Sequence, residues 1–442
     1  MDLDKKLNNL ENKILELVEE YTNIRHKKAD FIPGISSVPI NGRVFDSNEV
    51  KELVKSSIDF WLTDGEYSEL FSKKMSNFLS MKHVRLVNSG SSANLVALSS
   101  LTSSKIKNNL NEGDEVITTA VGFPTTVNPI FQNNLIPVFV DSCIGTYNPT
   151  ADMIIEAFSD KTKAIFLAHT LGNPFEVEKL RNFCEDKNIW LLEDNCDALG
   201  SKYNNQLTGT FGHISTLSFY PAHHITMGEG GAVITNSNRL KLSIDSFRDW
   251  GRDCWCASGH DDTCNKRFDW QLGDLPYGYD HKFTYSNIGY NLKATDLQAS
   301  IGVAQMDKLQ KFIDARKENW KKINNFILKF DEYFLPHTPT ENSDPSWFGY
   351  AITVKDNKYF KRDDLVKFLN EKRIGTRLIF GGNLIRQPAY KNKKYRISGK
   401  LEAADQVMTS TFWIGVYPGL NDEMIEYMLQ SIEDFVSSSI SR

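Results

Sequence analysis

The segment Ile189-Trp-Leu-Leu-Glu-Asp-Asn-Cys-Asp-Ala-Leu-Gly200 is a short apolar run that stops abruptly at two acids. A run of this length and composition, ended by Glu193 and Asp194, reads as a buried strand that delivers a carboxylate to the carboxyl edge of a sheet. The same unit recurs upstream. Asp114-Glu-Val-Ile-Thr-Thr, Ile136-Pro-Val-Phe-Val and Ala164-Ile-Phe-Leu-Ala are further short apolar runs, and the segments Thr150 to Ala157 and Glu176 to Asp186 have helical spacing. Such alternation from Val84 to about Asn236 argues for an α/β fold, a mainly parallel sheet covered by helices on both faces. Ligands of these sheets sit beyond the carboxyl ends of the strands. Asp194 is therefore a candidate site residue, although an aspartate there could equally cap a helix.

Working outward, Leu3, Leu7, Leu10, Ile14, Leu17, Tyr21 and Ile24 recur at alternating spacings of four and three. That is a helical apolar stripe about three heptads long, suited either to a short coiled pairing or to packing on its own globule. Pro33 and Gly34 end the segment, and a second helical stretch is expected from about Ser47 to Ser80. The stretch from Asp249 to Ser286 is rich in Gly, Asp, Cys and aromatics and has no period; a loop this long is usually functional or disordered, and its aromatics and cysteines favour function. Ala294 to Leu328 reads as one long helix, and from Trp347 onward strands and helices mix as in a smaller α+β domain. The expected organisation is a helical segment over 1–45, a large domain over 46–305 that carries the 249–286 loop, and a small C-terminal domain over 306–442.

The 442 residues are 40% hydrophobic and 24% charged, ordinary values for a soluble globular chain. A net charge of −5 gives no general attraction to nucleic acid or anionic lipid, so a bound phosphate must be held by a local pocket. No apolar run approaches the roughly 20 residues of a membrane span, and Met-Asp-Leu-Asp-Lys-Lys lacks the apolar core of a secretory signal. A cytoplasmic location is expected. In a reducing compartment, close cysteines suggest metal more than disulfides. Of the cysteines at 143, 184, 196, 254, 256 and 264, three fall in the Cys254–Cys264 stretch.

Two further motifs carry chemistry. Val87-Asn-Ser-Gly-Ser-Ser-Ala-Asn is a small-residue turn between a strand and a helix, where Gly90 admits a close ligand and the amides of Ser91 and Ser92 would face a phosphate. Alone, it is no more than a helix cap. Leu217-Ser-Phe-Tyr-Pro-Ala-His-His-Ile-Thr-Met-Gly-Glu-Gly-Gly resembles the DegT/DnrJ/EryC sugar aminotransferase family of the aspartate-aminotransferase fold, vitamin-B6 enzymes of fold type I. That family's pattern is Ser-Phe, three further residues, and then a Schiff-base lysine, shortly before Gly-Glu-Gly-Gly. Here His223 holds that position, and no lysine occurs between Tyr203 and Asn238.

The resemblance implies that Asp194 partners the pyridine nitrogen of pyridoxal or pyridoxamine phosphate (PLP or PMP). It implies that Phe123 stacks on the ring and that Ser218, with the Gly90–Ser92 turn, holds the phosphate. It also implies that Asn291 reaches a phosphate across the interface of a homodimer, with Lys293 where an arginine is usual. A histidine cannot tether the cofactor as lysine does, but its imidazole suits a base that moves a carbon-bound proton. His224 is expected to be a supporting group.

Cys196, Cys254, Cys256 and Cys264 are separated by fifty-seven, one and seven residues. This spacing resembles the CDP-4-keto-6-deoxyglucose 3-dehydrases of lipopolysaccharide and dideoxysugar biosynthesis, in which four cysteines bind a 2Fe-2S cluster. The resemblance implies a nucleotide-linked 4-keto-6-deoxyhexose as substrate, loss of its C3 hydroxyl, and electrons delivered singly by an NADH-dependent flavin/iron-sulfur reductase. The product would be a 4-keto-3,6-dideoxyhexose for O-antigen sugars. An ordinary aminotransferase, a cluster-free 3-dehydratase, a structural zinc site and a non-catalytic cofactor-binding protein are the alternatives. Arg377, Trp413 and the loop near Tyr277 are candidates for the sugar and base pockets.

Overall fold

The computed structural model describes residues 2–27, 29–256 and 258–441. The apolar runs become strands where the sequence places them: β1 (His83–Val87), β2 (Glu115–Thr119), β3 (Ile136–Val140), β4 (Thr162–Ala168) and β5 (Trp190–Asp194). They join Ile214–Ser218, Gly231–Thr235 and Arg396–Ile397 in one sheet of eight strands, in the order β1, 231–235, 214–218, β5, β4, β2, β3, 396–397. All pairs from 214–218 outward through β3 to 396–397 are parallel, whereas 231–235 runs antiparallel to both its neighbours. Burial of every residue of β2 and of 214–218 and 231–235 explains why these runs do not alternate polar with apolar.

The N-terminal part begins with α1 (Asp2–Arg25), α2 (Ser47–Asp59) and α3 (Glu66–Leu79), and α4 (Gly90–Ser100) follows β1. The single helical stretch expected over 47–80 is thus two helices, broken where Phe60 takes a left-handed conformation and ends α2. The long helix expected over 294–328 is likewise two, Asp296–Met306 and Leu309–Ile327. An antiparallel sheet of four strands, Phe334–Pro336, Gly349–Val354, Thr411–Gly415 and Thr376–Arg377, forms a second core with residues such as Ile323, Leu365, Phe412 and Ile432. Its edge meets the carboxyl ends of β4 and β5: Phe348 N donates to Leu171 O, and Ser346 N to the Ser201 hydroxyl. The cavity lies at that junction.

Candidate active site

A cavity of about 660 Å³ opens beyond the carboxyl ends of the parallel strands, within the size range of cofactor sites. Its wall includes Gly90, Ser91, Phe123, Asp194, Cys196, Ser218, His223, Arg377 and Trp413. The sequence motifs quoted above, distant along the chain, therefore meet at one place. Ser92 is set back into α4, where its amide donates to the capping hydroxyl of Ser89 at 3.0 Å. Asn291 is not on this wall; its Oδ1 accepts a hydrogen bond from Lys293 Nζ at 2.7 Å. Tyr277 is exposed and away from the cavity.

Asp194 ends β5 and is almost fully buried. Its Oδ2 accepts hydrogen bonds from Asn94 Nδ2 at 2.8 Å and Thr126 Oγ1 at 2.7 Å, and Oδ1 accepts from Cys196 N at 3.2 Å. Asn94 is itself fixed by Thr216 Oγ1 at 2.6 Å. Three elements, α4, Pro124–Gln132 and 214–218, thus orient one carboxylate with neutral donors, and no cation neutralises it among those contacts. A carboxylate so placed is suited to accept a further, charge-assisted hydrogen bond from a cationic ring N–H.

Glycines let the start of α4 close against the strand ends beside the cavity. A Cβ on Gly90 would lie 2.5 Å from Ser218 Cβ and 3.1 Å from Cys196 Sγ, so only glycine lets the start of α4 lie against the ends of the neighbouring strands. Gly231 is required for the same reason, since a Cβ there would meet the Ser89 carbonyl at 2.4 Å. A helix start exposed through such glycines is a natural anion seat. The donor set therefore fits a phosphorylated pyridine: an acid for the ring nitrogen, a helix start and the Ser218 hydroxyl for the phosphate, and the Phe123 ring on the same wall.

His223 sits on a tight turn, its amide donating to Tyr220 O at 2.9 Å and its ring 5.1 Å from that of Phe348. Its Nδ1 is buried and has no hydrogen-bond partner among the described residues. Burial, then the nearby Arg316 cation, push its pKa down to about 3, opposed by the Cys196 backbone. The imidazole is neutral near pH 7 and able to accept a proton. His224 turns away from the cavity and bonds Ser346 O through Nε2 at 2.9 Å. Among the described residues no lysine lines this cavity.

Sequence reasoning missed Asn94, Thr126, Asp197 and Arg316. Asp197 lines the cavity beside His223, and burial followed by the charge of Asp194 raises its pKa to about 8. Arg316, on the helix 309–327, is fully buried; Nη2 donates to His223 O at 3.0 Å and Nη1 to Trp347 O at 3.1 Å. A signal for Asp197 was present, since it lies in the quoted 189–200 segment. Arg316 sits among charged neighbours that mark an exposed helix face, and nothing local distinguishes it.

The four cysteines of the proposed cluster are not gathered into one cage. Cys196 lines the main cavity, whereas Cys254 and Cys256 line a separate one of about 390 Å³ with Arg85, Lys241 and Arg248. The loop thiols do neighbour one another: Cys256 N donates to Cys254 Sγ at 3.5 Å, and Cys256 Sγ lies 3.1 Å from Thr263 Oγ1. Among the described residues no group of three or more His, Cys, Asp or Glu is arranged to hold a metal ion. No helix among the described residues is long and apolar enough to cross a membrane.

Comparison with known proteins fits the geometry. The model of the DegT/DnrJ/EryC1/StrS aminotransferase family matches residues 43–433. The lipopolysaccharide biosynthesis protein RfbH of Salmonella typhimurium is 53% identical over 429 residues, covering 97% of this chain and 98% of that protein. A dTDP-4-dehydro-2,6-dideoxy-D-glucose 3-dehydratase of Saccharopolyspora spinosa is 49% identical over 97% of this chain and 92% of its own length. The solved structure of E. coli GDP-4-keto-6-deoxy-D-mannose-3-dehydratase with bound hydrated PLP has a TM-score of 0.80 and 28% identity, covering 89% of this chain and 99% of that one. Helicobacter pylori PseC, an aminotransferase, shares the fold at a TM-score of 0.77 and 22% identity over 91% of this chain and 100% of that one. The aspartate-aminotransferase-like fold expected from the sequence is the fold observed.

Proposed function

The chain belongs to the DegT/DnrJ/EryC1/StrS aminotransferase family, and from that premise we propose that it is a PMP-dependent 3-dehydratase of a nucleotide-linked 4-keto-6-deoxyhexose. The observation that carries this reading is a neutral histidine, not a lysine, on the wall of the cavity that holds Asp194. Amino transfer in this family's usual manner needs the lysine. Relatives whose names specify 3-dehydration support the same reading.

Bound in this cavity, the amine form of the cofactor supplies an electron sink able to acidify a neighbouring carbon and expel a β-hydroxyl. Asp194, fixed by Asn94 and Thr126, would hold the ring nitrogen protonated and so deepen that sink. Ser218 and the turn at Gly90 and Ser91 would seat the phosphate, and Phe123 would cover the ring. His223 would remove the carbon-bound proton and return it to the departing hydroxyl as water. Asn291, being off this wall, is assigned to a phosphate of a second subunit's site in a homodimer. Arg377 and Trp413, which reach the same cavity from the second sheet, would meet the nucleotide-sugar.

The finer reading is that the nucleotide is CDP, that Cys196 and the three loop thiols take a 2Fe-2S cluster, and that a separate NADH-dependent flavin/iron-sulfur reductase supplies electrons. Only the cysteine spacing and the adjacency of the loop thiols support it, and it requires the loop to approach Cys196 more closely than here. The deciding experiment incubates anaerobically purified protein and PMP with CDP-, dTDP- and GDP-linked 4-keto-6-deoxyhexoses, and measures loss of water by mass spectrometry alongside iron and sulfide content. Glutamate-dependent amination without dehydration would overturn the dehydratase reading. Anaerobically purified protein that holds no iron or sulfide would overturn the cluster alone.

A further inference from the structure

The first helix carries a surface that the folded chain leaves bare. Leu3, Leu7, Leu10, Ile14, Leu17, Tyr21 and Ile24 are between 41% and 72% exposed, in one stripe along α1. A different face attaches the helix: Thr22 is buried, Leu15 and Val18 are half-buried, and Lys51 of α2 pairs with Glu19. Residues 3–10 are exposed all round, so the first turns of α1 extend past the globule. An isolated helix with such an apolar stripe is marginal in water, because most helical stability comes from covering that face.

We propose that the stripe is an assembly surface whose occupant is α1 of a second copy of this chain, the two helices parallel and in register. With Leu7, Ile14 and Tyr21 at the a positions of a heptad, Leu3, Leu10, Leu17 and Ile24 fall at d. Leucine at d, with β-branched Ile14 at the central a, favours two parallel strands. The flanking charges agree. A parallel pair sets Lys6 against Glu11 and Glu20 against Arg25 of the other copy, while Lys13 meets apolar Val18, and no like charges face one another. An antiparallel pair does less well. With Leu7 opposite Ile24 it leaves Leu3 without a counterpart, and with Leu7 opposite Leu17 it sets Glu11 against Glu11 and Lys13 against Lys13. Only the parallel register covers the whole stripe.

The test is thiol cross-linking in the full-length protein. Leu7→Cys places a thiol in the proposed seam opposite itself, and Asn12→Cys places one on the outer face. Under mild oxidation Leu7→Cys is expected to form a covalent dimer, read on non-reducing gels, roughly tenfold or more faster than Asn12→Cys, because disulfides need Cα atoms about 4–7 Å apart. Adding Leu10→Glu and Leu17→Glu should return the rate to that of Asn12→Cys, with circular dichroism and the thermal midpoint of the globule reporting an intact fold. Equal rates for the two single-cysteine proteins would overturn the proposal. So would cross-linking that survives the two glutamates, which would mean that the contact is not the apolar stripe. A stripe covered instead by an antiparallel copy or by another protein gives no preferential Leu7→Cys dimer, and counts against it equally.

Discussion

Asp197 holds Oδ1 of its carboxyl group 3.5 Å from Nδ1 of His223, both on the cavity wall. Burial, then Asp194, raises Asp197 to about 8, so it is mostly uncharged at neutral pH and becomes an anion above that value. An anion at that distance favours the protonated imidazole and so strengthens His223 as a base. Turnover is therefore expected to rise through about pH 8 in the parent protein. In Asp197→Asn the rise should vanish while KM changes little. A pH–rate profile from pH 6 to pH 9 checks both.

His223→Asn keeps a polar side chain of similar shape and removes the proton acceptor. We expect turnover to fall by roughly 10²–10⁴-fold, the span of general-base contributions. Cofactor titration followed by absorbance should be unchanged. Retained turnover would remove His223 as the base.

Asp194→Asn strikes the opposite end of the cofactor seat. The amide cannot keep a ring nitrogen protonated, and its NH₂ would face either the donors Asn94 and Thr126 or the amide of Cys196. Both cofactor affinity and turnover should drop, the affinity by at least tenfold for a loss of about 1.4 kcal/mol. Equilibrium dialysis against PMP measures the first effect independently of the second.

Cys254→Ala separates the metal reading from the dehydratase reading. If a cluster is present, the substitution should abolish its visible absorbance and leave cofactor binding and proton exchange intact. Burial raises the Cys254 thiol, whereas Thr263 and Cys254 outweigh burial and lower Cys256. Cys256 is accordingly expected to be the faster of the two to alkylate in iron-free protein, as thiolate fraction governs the rate. Peptide mapping after limited iodoacetamide treatment reports that order.

Acid should destabilise the fold. Burial, first among the causes, holds His213 down to about 4 and His337 to about 3, against about 6.5 in an unfolded chain. Between those values the unfolded state binds more protons than the folded one, so unfolding free energy rises with pH. The contribution is complete above about pH 6.5 and is lost as pH falls toward 4. Each fully buried histidine contributes a slope of up to about 1.4 kcal/mol per pH unit, and His213, being less buried, contributes less. Urea unfolding at pH 7, 6 and 5 should show the midpoint falling.

Much of this was legible in the chain. The β2, β3, β4 and β5 runs were readable because strands buried on both faces have a simple signature of short apolar length and polar ends. Their carboxyl ends then pointed to Asp194, and the lysine-to-histidine replacement at His223 stood out against a known pattern. Helix breaks at Phe60 and near Asp307 were not readable, since neither carries a proline or glycine: Phe60 adopts a left-handed turn that its side chain does not favour intrinsically. Asn94 and Thr126 were invisible as partners of Asp194 because their contact spans 100 and 68 residues and depends on how α4 and the helix at 124–132 meet the sheet. The separate cavities of Cys196 and Cys254 show the converse, since spacing along the chain carries no information about loop placement.

The Arg316 guanidinium donates both to the carbonyl of His223 and to that of Trp347, at the strand entering the second sheet, and so ties two parts of the molecule together. The turn that presents the imidazole is therefore braced from the side of the second sheet, not only from the strands beneath it. Substitutions that shift the backbone at Trp347 are then expected to disturb the His223 turn as well, a restriction on how such a scaffold can drift.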